Sequence, residues 1–114
     1  MKEGDVVLTP IPQADGAVKN RPAIILREMP PYGDFLVSGV STQLDKEVKG
    51  FDEVIDVTDE DFKSTGLRIT SLVRLGFLAA LPSTQIIGTI GSISSSRHKT
   101  LLKTLSDYLI QTQS

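Results

Sequence analysis

Apolar and polar positions alternate in short runs along most of this chain and change to a helical period only near its end. Asp5 to Thr9 is rich in β-formers and is predicted to stop at Pro10-Ile11-Pro12, because two prolines so close together remove ladder donors. Gln13 to Asn20, with Asp15-Gly16, reads as a polar loop, and Pro22 to Leu26 as an apolar strand with proline at its first position. Pro30-Pro31-Tyr32-Gly33 marks a turn before a third strand, Phe35 to Ser41. A polar loop, Gln43 to Gly50, leads to a short fourth strand, Glu53 to Thr58. Thr58 is expected to cap one helical turn, Asp59-Glu60-Asp61-Phe62, with its carboxylates at the positive end of the dipole.

Thr70 to Leu81 is long and apolar but interrupted by Arg74 and Gly76, so it reads as a strand with a bulge or kink. Gln85 to Ile90 is the last predicted strand, bent by Gly88 and Gly91. From Arg97 to Gln111 the period becomes helical: Leu101, Leu102, Leu105, Leu109 and Ile110 share a face, and Ser94, Ser95 or Ser96 can cap it. The Leu stripe is read as core or dimer packing. Several closely spaced strands and one closing helix predict a mainly β fold, a small, strongly curved antiparallel barrel with a C-terminal α-helix.

Composition narrows the chemistry. The 114 residues suit one domain, read as spanning 1–114, and 39% hydrophobic with 23% charged residues is a globular balance. With no Cys and one His, disulfides, thiolate nucleophiles and sulfur- or histidine-based metal sites are excluded, and any metal site would have to be all-carboxylate. Asp45 to Asp61 holds eight acidic residues, but without EF-hand spacing, and reads as a solvated face. No cationic leader precedes an apolar stretch, and no apolar run approaches the roughly 18 residues of a bilayer span, so a cytoplasmic protein is expected.

The net charge of −2 argues at first against nucleic acid. Its distribution changes that. Residues 1–44 carry four basic and five acidic groups, residues 45–61 two and eight, and residues 62–114 six and one. The acidity is therefore concentrated in one segment. Strong sequence-blind binding to a long polyanion is excluded, whereas a local cationic groove engaging a few phosphates is allowed.

Within that frame the segment Lys19-Asn20-Arg21-Pro22-Ala23-Ile24-Ile25-Leu26 stands out. Two cations sit where a loop becomes a strand, and Pro22 restricts Arg21 to extended geometry. A guanidinium on stiff support suits phosphate recognition, since its planar fork donates bidentate hydrogen bonds. The plainer alternative is a solvated loop charge. His98, the one imidazole, lies between Arg97 and Lys99 and reads as a solvated surface residue.

The opening Gly4-Asp5-Val6-Val7, the Lys19 to Leu26 segment, and Gly39-Val40-Ser41-Thr42 resemble, in order and spacing, the MazF/PemK toxins of bacterial type II toxin–antitoxin systems. Ser71-Leu72-Val73-Arg74 and Ile87 to Ser94, followed by the Leu-rich helix, extend the resemblance over nearly the whole chain. It implies an SH3-like barrel of the CcdB/MazF type, a homodimer, an antitoxin partner and metal-independent endoribonuclease activity on single-stranded RNA, with no cofactor. The residues it puts at the chemistry are Arg21 and Ser41, with Lys19, Thr42 and Arg74 as further RNA contacts. Some members carry an acidic residue two positions after the Arg74 equivalent, where this chain has Gly76. Two alternatives follow from that departure: a non-catalytic gyrase poison similar to CcdB, and a degenerate module that only binds the antitoxin.

Overall fold

A computed structural model describes residues 1–12 and 15–111. Six strands, β1 (Asp5–Pro12), β2 (Val18–Met29), β3 (Asp34–Ser41), β4 (Glu53–Ile55), β5 (Ser71–Leu81) and β6 (Gly88–Ser92), form one antiparallel sheet in the order β4-β5-β3-β2-β1-β6. The sheet curls into a half-barrel. A short helix α1 (Phe62–Thr65) and a long one, α2 (Ser95–Leu109), complete the described chain with two 3-10 turns, Leu44–Lys46 and Ser83–Gln85.

The apolar run in β2 is buried on both faces of the sheet. Ile24 and Leu26 join Val6, Val40, Ile55, Val73, Leu75 and Ile93 in one cluster, which Leu101 and Leu105 of α2 close. Ala23 and Ile25 point the other way and join Val7, Phe35, Val37 and Ile86 in a second. That two-sided burial is why the segment lacks a clean alternation. Of the Leu stripe, Leu101 and Leu105 are core, while Leu109 and Ile110 stand 68% and 79% exposed.

Several boundaries differ from the sequence expectation, each for a local reason. β1 does not stop at Pro10 but stays paired with β2 through Pro10↔Asn20 and Pro12↔Val18. The Leu8 carbonyl accepts from the Ile87 N–H at 2.9 Å, so Leu8 turns its polar groups away from β2. Pro10 and Pro12 lie two and four residues on, in the same orientation, so no ladder bond to β2 needs their missing N–H. β2 accordingly begins at Val18, inside the expected loop; Gln13 and Ala14 of that loop lie outside the described residues.

The fourth strand ends at Ile55 and the helical turn falls at Phe62–Thr65, not 59–62. Thr58 caps nothing, because its hydroxyl and its N–H both donate to the Asp56 carboxylate. The last strand starts at Gly88, after the 3-10 turn at Ser83–Gln85. Gly91 serves close approach there: a Cβ on it would lie 2.2 Å from the Ser64 carbonyl oxygen of α1.

Ser94 caps α2, its hydroxyl accepting from the Arg97 N–H at 3.1 Å. The Arg97 side chain then ties this end of α2 to the acidic segment. Nε and Nη2 reach the two oxygens of Asp61 at 2.9 Å each, Nη2 also meets Asp59 at 2.8 Å, and Nη1 meets Glu53 at 3.0 Å and the Val54 carbonyl at 3.2 Å. The Arg97 and Asp61 side chains are 12% and 10% exposed. Hydrogen bonding to Arg97 lowers the Asp61 carboxyl to about 2, against the opposing effect of burial. Burial outweighs Arg97 at Glu53 and raises it. The acidic stretch is thus not wholly a solvated face: Glu53, Asp59 and Asp61 are structural ion-pair partners.

Candidate active site

The site is built where β2 and β3 meet. Arg21 is held from one side by its register with Thr9 of β1, itself buried, and from the next position by Pro22. On the other side the pairing of β2 with β3 runs as far as Ala23 opposite Gly39, and beyond it Arg21 and Ser41, the last residue of β3, line the same two hollows. The Ser41 hydroxyl accepts from the Gln43 N–H at 3.1 Å, which fixes the oxygen and leaves its hydrogen to donate outward.

Two hollows flank this pair, and Arg21 and Ser41 line both. The first, of about 210 Å³, is completed by Gly39, Val40, Gln43, Arg74 and Phe77. The second, of about 360 Å³, includes Pro22, Thr42, Arg68 and an apolar floor from Leu8, Leu67, Ile69 and Ile90. Among the described residues their linings contain three arginines and neither Asp, Glu nor His. Such a surface is suited to anions, and guanidinium groups suit the fork geometry of phosphate oxygens.

Of the sequence-selected residues, Arg21, Ser41, Thr42 and Arg74 come together here. Lys19 does not line either hollow. It lies exposed on β2 opposite Ile11, two residues from Arg21 and on the same side of the strand, roughly 7 Å further out at the usual rise. His98 is corrected: it is part-buried, its Nε2 lies 2.7 Å from the Leu26 carbonyl oxygen, and it lines neither hollow. Gly76 also stays out of the lining. A Cβ there would stand 3.8 Å from Phe51, whose ring in turn packs at 4.9 Å against Tyr108.

The sequence reading missed Arg68, Gln43 and Phe77. Arg68 follows α1 without a motif around it, and its approach to Ser41 depends on how the 66–71 segment folds back. Phe77 depends on a register shift. β3 pairs Ser38 with Leu78 and Gly39 with Arg74, so Leu75 to Phe77 bulge out of β5. Among the described residues no group of three His, Asp or Glu is placed to hold a metal ion, and no helix is long and apolar enough to cross a membrane.

Comparison with known proteins agrees with the architecture. The structure is similar to the Mycobacterium tuberculosis toxin MazF-mt6, with a TM-score of 0.67 at 18% identity, covering 96% of this chain and 99% of that one. At that identity the likeness speaks for the fold. No relative is found among the curated proteins. The family model for the PemK-like, MazF-like toxins matches residues 2–109. The chain therefore belongs to the PemK-like, MazF-like toxins of type II toxin–antitoxin systems.

Proposed function

We propose that the protein is the growth-inhibiting toxin of a toxin–antitoxin pair and acts as a metal-independent endoribonuclease on single-stranded RNA, with Arg21 and Ser41 at the chemistry. The observation that carries this reading is the shared position of Arg21 and Ser41 between two hollows that, among the described residues, are lined by three arginines and no Asp or Glu. A phosphate straddling the two residues would leave room on either side for the neighbouring nucleotides.

In this reading the ribose 2′-oxygen attacks the adjacent phosphorus. A P–O2′ bond forms, the P–O5′ bond breaks, and the products are a 2′,3′-cyclic phosphate and a 5′-hydroxyl. Arg21 neutralises the charge that grows on the nonbridging oxygens, and Ser41 donates its hydroxyl hydrogen to one of them. Arg74 and Arg68 hold flanking phosphates, with Thr42 close by and Lys19 further along the strand. With neither His nor carboxylate in the lining, water or a nonbridging oxygen takes the 2′-hydroxyl proton and returns one to the 5′-oxygen. Because the nucleophile belongs to the substrate, the step requires no metal.

A cognate antitoxin belongs to the same picture. A segment combining carboxylates and apolar side chains fits the cationic face with its apolar floor, and would block RNA by occupying it. The protein is further proposed to be a homodimer acting in the cytoplasm, as the family resemblance implies. The test is incubation of the purified protein with single-stranded RNA in the presence of a chelator, followed by mapping of the new ends. Cleavage leaving 2′,3′-cyclic phosphates, and lost in Arg21→Ala, is expected. RNA left intact where a control ribonuclease cuts would overturn the reading, and inhibition of gyrase supercoiling in its place would favour the CcdB-like alternative.

A further inference from the structure

The first hollow has one wall that the phosphate chemistry does not use. Phe77 is 44% exposed although it lies within a β-strand and next to the catalytic pair. The bulge at Leu75 to Phe77 brings its ring back over Gly39. A Cβ built on Gly39 would stand 2.6 Å from Phe77 Cδ1 and 3.3 Å from Cε1, so the ring occupies the space a side chain at position 39 would need. On another side the Arg74 guanidinium carbon lies 6.0 Å from the ring centroid, within cation–π range. The ring is thus seated on backbone, flanked by a cation and open to the hollow that Arg21 and Ser41 line.

Resting on the RNA reading of this site, we infer that Phe77 is a stacking platform for a base beside the scissile phosphate, and that Gly39 positions it by its missing side chain. Single-stranded nucleic acid is commonly held by an aromatic face paired with nearby cations, since every base offers a π-face and every nucleotide a phosphate. The separation of labour matches the geometry: Arg74 takes the phosphate, Phe77 takes the base. Gln43 lines the same hollow and brings an amide able to hydrogen-bond a base edge. A partner protein, the antitoxin segment included, is the competing occupant of an exposed Phe, and the test separates it from a base.

The test uses the full chain and an uncleavable oligonucleotide, a single-stranded RNA with 2′-deoxyribose at the mapped cut and 2-aminopurine at each flanking base in turn. The wild type is expected to quench the fluorescence at one flanking position. Phe77→Ala should lose that quench and weaken binding by about 5- to 150-fold, the range of one base–aromatic stack. Phe77→Trp should keep both, and Gly39→Ala, which pushes the ring aside without removing it, should fall between. If the wild type binds no RNA, the reading of the site fails and the platform with it. If it binds and quenches, but Phe77→Ala quenches and binds equally well, the platform alone is wrong. A Phe77→Ala protein with unchanged RNA affinity and a reduced mass in solution would give the ring to a protein interface and overturn the inference.

Discussion

Arg97 and Arg21 are the same side chain in different surroundings. Arg97 is surrounded: three carboxylates and a backbone carbonyl take its guanidinium nitrogens, and it is almost wholly withdrawn from solvent. Arg21 lies on the rim between two open hollows whose described lining supplies two further arginines and no Asp or Glu. An arginine saturated by the protein's own acids fastens elements together, here the start of α2 to the 53–61 segment. An arginine grouped with others of its charge beside an open surface suits anions that come from outside, the role proposed for Arg21.

The largest effect expected from this contrast is catalytic. Arg21→Ala should lower the cleavage rate by about 100- to 1,000-fold, as losing one donor to a transition-state oxyanion does, while the melting temperature stays near that of the wild type. Ser41→Ala should lower the rate less, since it removes a neutral donor. Arg97→Ala should do the reverse. Removing it leaves Asp59, Asp61 and Glu53 facing one another, and a loss of about 3 kcal/mol is expected in denaturant unfolding.

Acid should attack the same network. The Asp61 carboxyl is lowered from 3.8 to about 2 in the folded protein, so its contribution is fully present above pH 4 and is lost as pH falls from there through about 2. Glu53, raised by burial, works in the opposite sense and softens the loss, because its protonation relieves a buried charge. Unfolding curves between pH 5 and pH 2 check this, and Asp61→Asn should flatten them.

Two smaller effects sharpen the comparison. His98 holds the Leu26 carbonyl and is away from the hollows, so the pH–rate profile should lack an imidazole inflection and His98→Gln should cut at the wild-type rate once folded. Ser38 is fully buried with no hydrogen-bond partner for its hydroxyl. Ser38→Ala should therefore be neutral or stabilising by up to about 1 kcal/mol, measured by thermal unfolding.

The sequence announces Arg21 because Pro22 stiffens it and the order of segments around it resembles one family. It announces Ser41 by the same order. It is silent about Arg97, which at the sequence level is one more cation at a helix start; only the fold brings residues 53–61 against it across some forty positions. Pro10 and Pro12 mislead for a similar reason. Their meaning depends on which way each residue's N–H faces, and that is set by pairing with strands distant in the chain. Phe77 is hidden by the bulge, since strict alternation would not turn it onto Gly39. Local chemistry is legible in the chain, whereas whatever depends on register or on a long-range partner is not.

The most direct test measures Arg21→Ala and Arg97→Ala side by side, recording for each the cleavage rate per folded molecule and the melting temperature. The expected result is a crossed pattern, in which Arg21→Ala loses rate and keeps its melting temperature, and Arg97→Ala loses melting temperature and keeps its rate. An Arg21→Ala protein that cuts at the wild-type rate, or that melts as early as Arg97→Ala, would contradict the division between an arginine that binds RNA and one that holds the fold.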